Sequence, residues 1–119
     1  MLQITVLHVP RHLYGQTPSF DQKAQVAFAK ENMLNYNMVA KLSAYDLEKA
    51  YELTNTINYP WYQNAEVDVF HEFIFYVGND RKDTLPDDFG IRSTSIGDIF
   101  MLSNGSKYLV TSAGFELLS

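Results

Sequence analysis

The residues best suited to chemistry lie at positions 92–98, where Arg-Ser-Thr-Ser-Ile-Gly-Asp combines a guanidinium, three hydroxyls and a carboxylate. Such a run could bind an anion or a carbonyl-rich partner through charge-assisted hydrogen bonds. Alternatively, the hydroxyls satisfy local backbone groups, Gly97 supplies a positive-φ turn, and Asp98 accepts turn amides. Arg92 would then pair with Asp98 or with a helix C-terminus. We favour this structural interpretation. A ligand pocket, if the run formed one, would be lined by Asn55, Arg92, Ser93, Ser95 and Asp98.

A second candidate surface surrounds Trp61, which follows a predicted helix end at Asn55. An exposed tryptophan beside such an end could anchor a partner. Equally, Asn55 or Asn58 could cap the helix while Trp61 covers the core. The polar loop at 78–90 is long for a small domain, which is typical of functional loops. The predicted partner-binding residues are Trp61, Tyr62, Asp80, Arg81, Asp87, Asp88 and Phe89.

The histidines do not predict a metal site. His8 and His12 are four residues apart, but Pro10 between them excludes the helix that would align them. On a strand, His71 would point away from the acidic residues at 68 and 72. On a helix, Asp68 would align with His71 or Glu72, but a three-ligand site would still need another contributor. There is also no nucleophile elbow and no glycine-rich phosphate loop. We therefore expect no metal, no cofactor and no catalytic residue.

Composition narrows the class of protein. The chain has 119 residues, a formal net charge of −5 and no cysteine, and its length predicts a single domain over 1–119. The acidic balance and scattered basic residues disfavour nucleic-acid binding. The absence of cysteine fits a reducing cytoplasm. No segment approaches the ~20 apolar residues of a membrane span, and the amino terminus lacks the pattern of a signal peptide.

Periodicity predicts the elements that position these residues. A helix capped by Ser19 should bury Phe20, Ala24, Ala27 and Phe28. A second helix, capped by Ser43, should bury Leu47, Ala50, Tyr51 and Thr54. Strands are expected at 2–9, 36–42, 67–77, 99–102 and 107–111, with a last edge or turn at 115–118.

The dipeptide Asn104-Gly105 predicts a tight hairpin, with positive φ at both residues. In that register Ile99 would face Val110 across the ladder, and Met101 would face Tyr108. The run 67–77 is apolar on both faces and predicts a central strand.

These elements predict an α+β fold with a mostly antiparallel sheet of four to five strands and two helices on one face. A PUA-like small barrel is the alternative.

The second half of the chain resembles the small YodL-like proteins of bacteriophages, plasmids and bacteria. The matching pieces are residues 46–55 (Asp-Leu-Glu-Lys-Ala-Tyr-Glu-Leu-Thr-Asn), Trp61, residues 92–98 and residues 114–116 (Gly-Phe-Glu). The resemblance covers residues from about 36 to 119. It implies a small accessory protein of a mobile element and brings no reaction, cofactor or catalytic residue.

The function expected from these observations is non-enzymatic: a phage or mobile-element accessory protein that binds a host protein, with inhibition of that protein as one form. One alternative is a small ligand-binding or enzymatic domain that uses the Arg92–Asp98 turn. Another is nucleic-acid binding through aromatic residues. A homodimer is also conceivable, paired through an edge strand at 70–76.

Overall fold

The computed structural model describes residues 1–10, Leu13, Gln16, 21–55, 67–69 and 93–118. In chain order the strands are β1 (Leu2–His8), β2 (Asn37–Ala44), β3 (Val67–Val69), β4 (Ile99–Leu102), β5 (Lys107–Thr111) and β6 (Gly114–Leu117). The helices are α1 (Gln22–Asn32) and α2 (Leu47–Leu53), and a short 3-10 turn, Met33–Asn35, extends α1.

The six strands form one antiparallel sheet in the order β3-β2-β1-β4-β5-β6. The predicted α+β class is confirmed, but the predicted four to five strands were too few, because the segment expected as a last edge or turn joins the sheet as β6. Within the described ladders β3 pairs with β2 and β6 with β5, so the barrel alternative gains no support.

The prediction that both helices share one face was wrong. Neighbouring residues on a strand point to opposite faces. In β4, Ile99 packs in a cluster with Ala29 of α1, whereas Phe100 packs in a separate cluster with Ala50 of α2. The sheet is therefore covered by α1 on one face and by α2 on the other, which explains why its central strands are apolar on both sides.

The pairing of β1 with β2 contains a bulge. Val6 lies opposite Ala40, but Leu7 lies opposite Met38, so Val39 is the extra residue. Val39 and Ala40 consequently both pack in the cluster under α2.

Helix α1 begins later than the predicted cap at Ser19. Its N-cap is Asp21, whose Oδ1 accepts from the backbone N–H of Lys23 at 3.0 Å and of Ala24 at 3.5 Å. The buried residues are Gln25 and Ala29, and Ala27 is exposed. The predicted stripe was therefore correct only in part: Phe28 packs against the core, Ala24 is half-buried, and Phe20 lies outside the described residues.

Helix α2 is capped by Asp46, whose Oδ1 accepts from the N–H of Lys49 at 2.8 Å. The predicted cap Ser43 instead belongs to β2, where its hydroxyl donates to Gln3 Oε1 at 2.9 Å. The predicted stripe is confirmed: Ala50 and Thr54 are buried, and the two other members, Leu47 and Tyr51, pack against the core.

The β4–β5 hairpin is present, but its predicted register was wrong by one residue. Ile99 faces Leu109 and Met101 faces Lys107. The loop has three residues rather than two, and of Asn104 and Gly105 only Gly105 has positive φ, at 92°. Asparagine-glycine suits both loop types, so the dipeptide alone does not determine the register.

Strand β3 takes an end position among the described strands, not the central position predicted for 67–77. The rest of that predicted strand, including the proposed dimer edge at 70–76, lies outside the described residues.

Candidate functional site: a buried polar cluster

Four buried polar residues meet where β1 ends and β4 begins. They are His8, Tyr36, Thr94 and Asp98, with exposed fractions of 2, 8, 1 and 0 %. We call them the buried polar cluster. Burial of this much polar surface requires internal hydrogen bonds, so the partners of each group show what the cluster does.

The Asp98 carboxylate binds two separate pieces of backbone. Its Oδ1 accepts from the N–H of Val9 at 2.9 Å, and its Oδ2 accepts from the N–H of Ser95 at 2.8 Å. The first bond ties the end of β1 to the start of β4, and the second closes the turn at 95–98. Gly97 lies in that turn with φ of 100°, a conformation that favours glycine.

The His8 imidazole lies against the same turn. Its Nε2 is 2.9 Å from the Thr94 hydroxyl oxygen and 3.8 Å from Asp98 Oδ2. In an acid–base relay, one ring nitrogen of histidine faces the nucleophile and the other faces the carboxylate. Here the same nitrogen faces both groups, and the Thr94 hydroxyl is shielded from solvent. The contacts of His8 therefore join the end of β1 to the segment that precedes β4.

Tyr36 fixes the turn from the side of α1. Its hydroxyl donates to the carbonyl of Gly97 at 2.7 Å. Burial raises the pKa of the Tyr36 hydroxyl, and the nearby Asp98 carboxylate raises it further. The phenol therefore stays protonated, as a donor must, well above neutral pH.

The end of α2 joins the same region through the backbone. The N–H of Thr94 donates to the carbonyl of Thr54 at 2.9 Å. The Thr54 hydroxyl in turn donates to the carbonyl of Ala50 at 2.9 Å. The Asn55 side-chain amide donates to the carbonyl of Tyr51 in the last turn of α2. The C-cap residue itself is Thr54, and the other predicted cap, Asn58, lies outside the described residues.

The sequence analysis predicted some of the residues in this region. Ser95 and Asp98 are brought together, and Ser93 lies half-buried beside them. Asn55 follows Thr54, which bonds to Thr94, but its amide is directed to its own helix. The predicted role of Asp98 as an acceptor for turn amides is what the structure shows. Arg92 lies outside the described residues.

All seven predicted partner-binding residues also lie outside the described residues: Trp61, Tyr62, Asp80, Arg81, Asp87, Asp88 and Phe89. Their role stays a prediction. Sequence reasoning missed His8, Tyr36 and Thr94 as a group. The available signal was His8 itself, a polar residue between apolar neighbours on a strand covered on both faces, which needs a buried partner.

Within the part of the chain that the structure describes, no three histidine or acidic side chains converge as metal ligands. Across the same residues, no helix has the length and apolar character to cross a membrane. Comparison of the chain with models of protein families, with curated proteins and with solved structures finds no match.

Proposed function

We propose that this chain is a non-enzymatic accessory protein of a bacteriophage or other mobile element, which binds a host protein in the cytoplasm and inhibits it. In this proposal the sheet and the buried polar cluster form a fixed base. The residues between Thr54 and Thr94 supply the contacts with the host protein.

The observation that carries the proposal is the backbone bond between Thr54 and Thr94. The two residues are 0 and 1 % exposed, and the bond measures 2.9 Å. The stretch 55–93 therefore begins and ends next to two residues that are bonded to each other inside the fold. Segments held this way on a rigid scaffold are common sites of binding.

The same stretch is attached to the sheet a second time. Val67 pairs with Leu42 and Val69 pairs with Ala40. This pairing divides the stretch into a shorter part that holds Trp61 and Tyr62 and a longer part that holds the residues 80–89. Each of the two segments that hold predicted contact residues therefore begins and ends at residues that the described fold holds in place.

The polar groups at the base favour a binding role over a catalytic one. Asp98 is shielded and bonded to backbone amides, and His8 faces Thr94 inside the fold. The net charge of −5 favours a protein partner over a nucleic acid. The resemblance to small mobile-element proteins supports a host protein as that partner.

Affinity capture from a bacterial host lysate tests the proposal. The tagged wild-type chain should retain one specific protein, and a Trp61→Ala/Tyr62→Ala double variant should lose most of it. Tyr45→Ala is the matched control, because Tyr45 is 77 % exposed and lies outside the proposed surface. Circular dichroism should show that all three proteins are folded.

Two results would overturn the proposal. One is the absence of any specifically retained protein. The other is equal retention by the double variant and by the Tyr45→Ala control.

A further inference from the structure

Strand β6 ends the sheet on the side away from β3. Among the described residues, its one strand partner is β5, and no other strand lies along its outer edge. An open edge presents backbone donors and acceptors that an extended chain can use.

The hydrogen bonds of β5 show which groups of β6 face outward. The N–H of Leu118 donates to the carbonyl of Lys107 at 2.7 Å. Successive residues of an antiparallel strand direct their backbone groups to alternate sides. Gly114 and Glu116 therefore face β5, whereas the N–H and C=O groups of Phe115 and Leu117 face outward.

The side chains of β6 alternate between the two faces of the sheet. Phe115 packs on the α2 face, with its ring centre 5.9 Å from that of Phe100. Leu117, two residues on, shares that face and is 55 % exposed. Glu116 points to the α1 face, where Gln22 Nε2 donates to its Oε2 at 3.1 Å.

We infer that the outer edge of β6 pairs with an extended segment of a partner protein in which apolar and basic residues alternate. Directly opposed residues on paired strands share a face. An apolar partner residue thus covers Leu117, and a Lys or Arg lies opposite Glu116. The inference rests on the proposed role in protein binding and adds a second contact surface with a defined partner chemistry.

Charge argues against a second copy of this chain as the occupant. In an antiparallel pair of two copies, Phe115 of one copy would lie opposite Leu117 of the other. Glu116 would then lie directly opposite Glu116 of the other copy. Like charges opposed across a ladder are destabilising, and the net charge of −5 on each copy adds repulsion. A basic segment instead places a positive charge opposite Glu116, and the net negative charge of this chain attracts it.

A peptide titration followed by NMR tests the inference with the full chain. One probe is a capped peptide of alternating valine and lysine, and the other replaces each lysine by glutamate. The lysine peptide should shift the amide signals of Phe115 and Leu117 and slow their hydrogen exchange. It should bind about fivefold or more tightly than the glutamate peptide.

Three variants distinguish the contribution of the backbone N–H of residue 117 from the contributions of the Leu117 and Glu116 side chains. Leu117→Pro removes an outward N–H without removing a bond to β5, and should weaken lysine-peptide binding about tenfold. Leu117→Ala keeps that N–H and should weaken binding less. Glu116→Lys should invert the preference between the two peptides, and this inversion tests the inference even if the proline variant does not fold.

Several results would overturn the inference: no shift at β6 with millimolar peptide, equal affinity for both peptides, or shifts at Phe115 and Leu117 that grow with protein concentration alone. The last would identify a second copy as the occupant. Failure here leaves the capture experiment with Trp61 and Tyr62 unaffected, so the two proposals can fail separately.

Discussion

Two turns of similar composition differ in their burial and in the range of their hydrogen bonds. The turn at 95–98, which we call the buried turn, and the turn at 103–105, which we call the hairpin turn, both combine serine with a positive-φ glycine and an Asp or Asn acceptor. Asp98 is fully buried and accepts from the backbone N–H of Val9, which directly follows β1. Asn104 is exposed and accepts from Ser106, two residues away.

The difference lies in what surrounds each turn. In the buried turn, Gly97 and Asp98 are buried, although Ser95 and Ile96 are exposed. The carboxylate of Asp98 therefore needs protein partners. Asn104 and Gly105 of the hairpin turn are exposed, so water can replace a bond that is lost there. Equivalent substitutions should therefore have unequal effects, and the following predictions test that expectation from the largest effect to the smallest.

The largest effect is expected from Asp98→Ala. The substitution leaves the buried amide of Val9 and the part-buried amide of Ser95 without their acceptor, and each such loss costs about 1–3 kcal/mol. We expect the free energy of unfolding to fall by about 4 kcal/mol, measured by urea denaturation. A loss below about 1 kcal/mol would contradict the role assigned to the buried turn.

The local part of this turn could be predicted from the sequence. Gly97 and Asp98 have the residue types of a closed turn, and the interpretation of Asp98 as an acceptor for turn amides was correct. The bond from Val9 to Asp98 could not be predicted, because the two residues are 89 positions apart and only the strand order brings them together. Local patterns carry no information about that order.

The errors in the fold have the same physical origin. Apolar residues on both sides of a strand indicate that both faces are covered, but not which helix covers which face. The register of the β4–β5 hairpin depends on the loop geometry at Gly105, and Asn-Gly is compatible with two- and three-residue loops. The predicted partner surface around Trp61 lies outside the described residues, so it stays a prediction.

A smaller effect is expected from Tyr36→Phe. The substitution removes the bond to the buried carbonyl of Gly97, and we expect a loss of about 1.5 kcal/mol at neutral pH. Phenylalanine fills the same space, so cavity formation does not contribute. Urea denaturation at pH 7 measures the loss, and a neutral substitution would contradict a stabilising role for this bond.

Tyr36 should also make stability depend on alkaline pH. Its folded-state pKa is raised above the ordinary value of about 10 by burial and by Asp98. Above pH 10 the unfolded chain loses this proton before the folded chain does. The free energy of unfolding should then fall as pH rises, by up to about 1.4 kcal/mol per unit from this group. Tyr36→Phe should show a shallower decline between pH 10 and 11, and an unchanged slope would contradict the assignment.

Gly105→Ala in the hairpin turn should cost about 1 kcal/mol. Gly105 has φ of 92°, and an added Cβ would meet nothing within 4 Å, so the loss comes from backbone strain alone. Gly105→Asn is the matched control, because asparagine tolerates positive φ better than alanine and should recover about half of the loss. Equal losses for the two variants, measured by thermal denaturation, would point to a cause other than strain.

The smallest effect is expected from Asn104→Ala, the counterpart of Asp98→Ala in the hairpin turn. The substitution removes the acceptor of the Ser106 amide, a bond of 2.9 Å at an exposed site. Water can take the place of the lost oxygen, so the free energy of unfolding should fall by only about 0.5 kcal/mol. The ratio of the two losses, measured under the same urea conditions, is the direct test of the comparison. A similar loss at both turns would mean that residue type, and not burial beside β1, sets the energy of these turns.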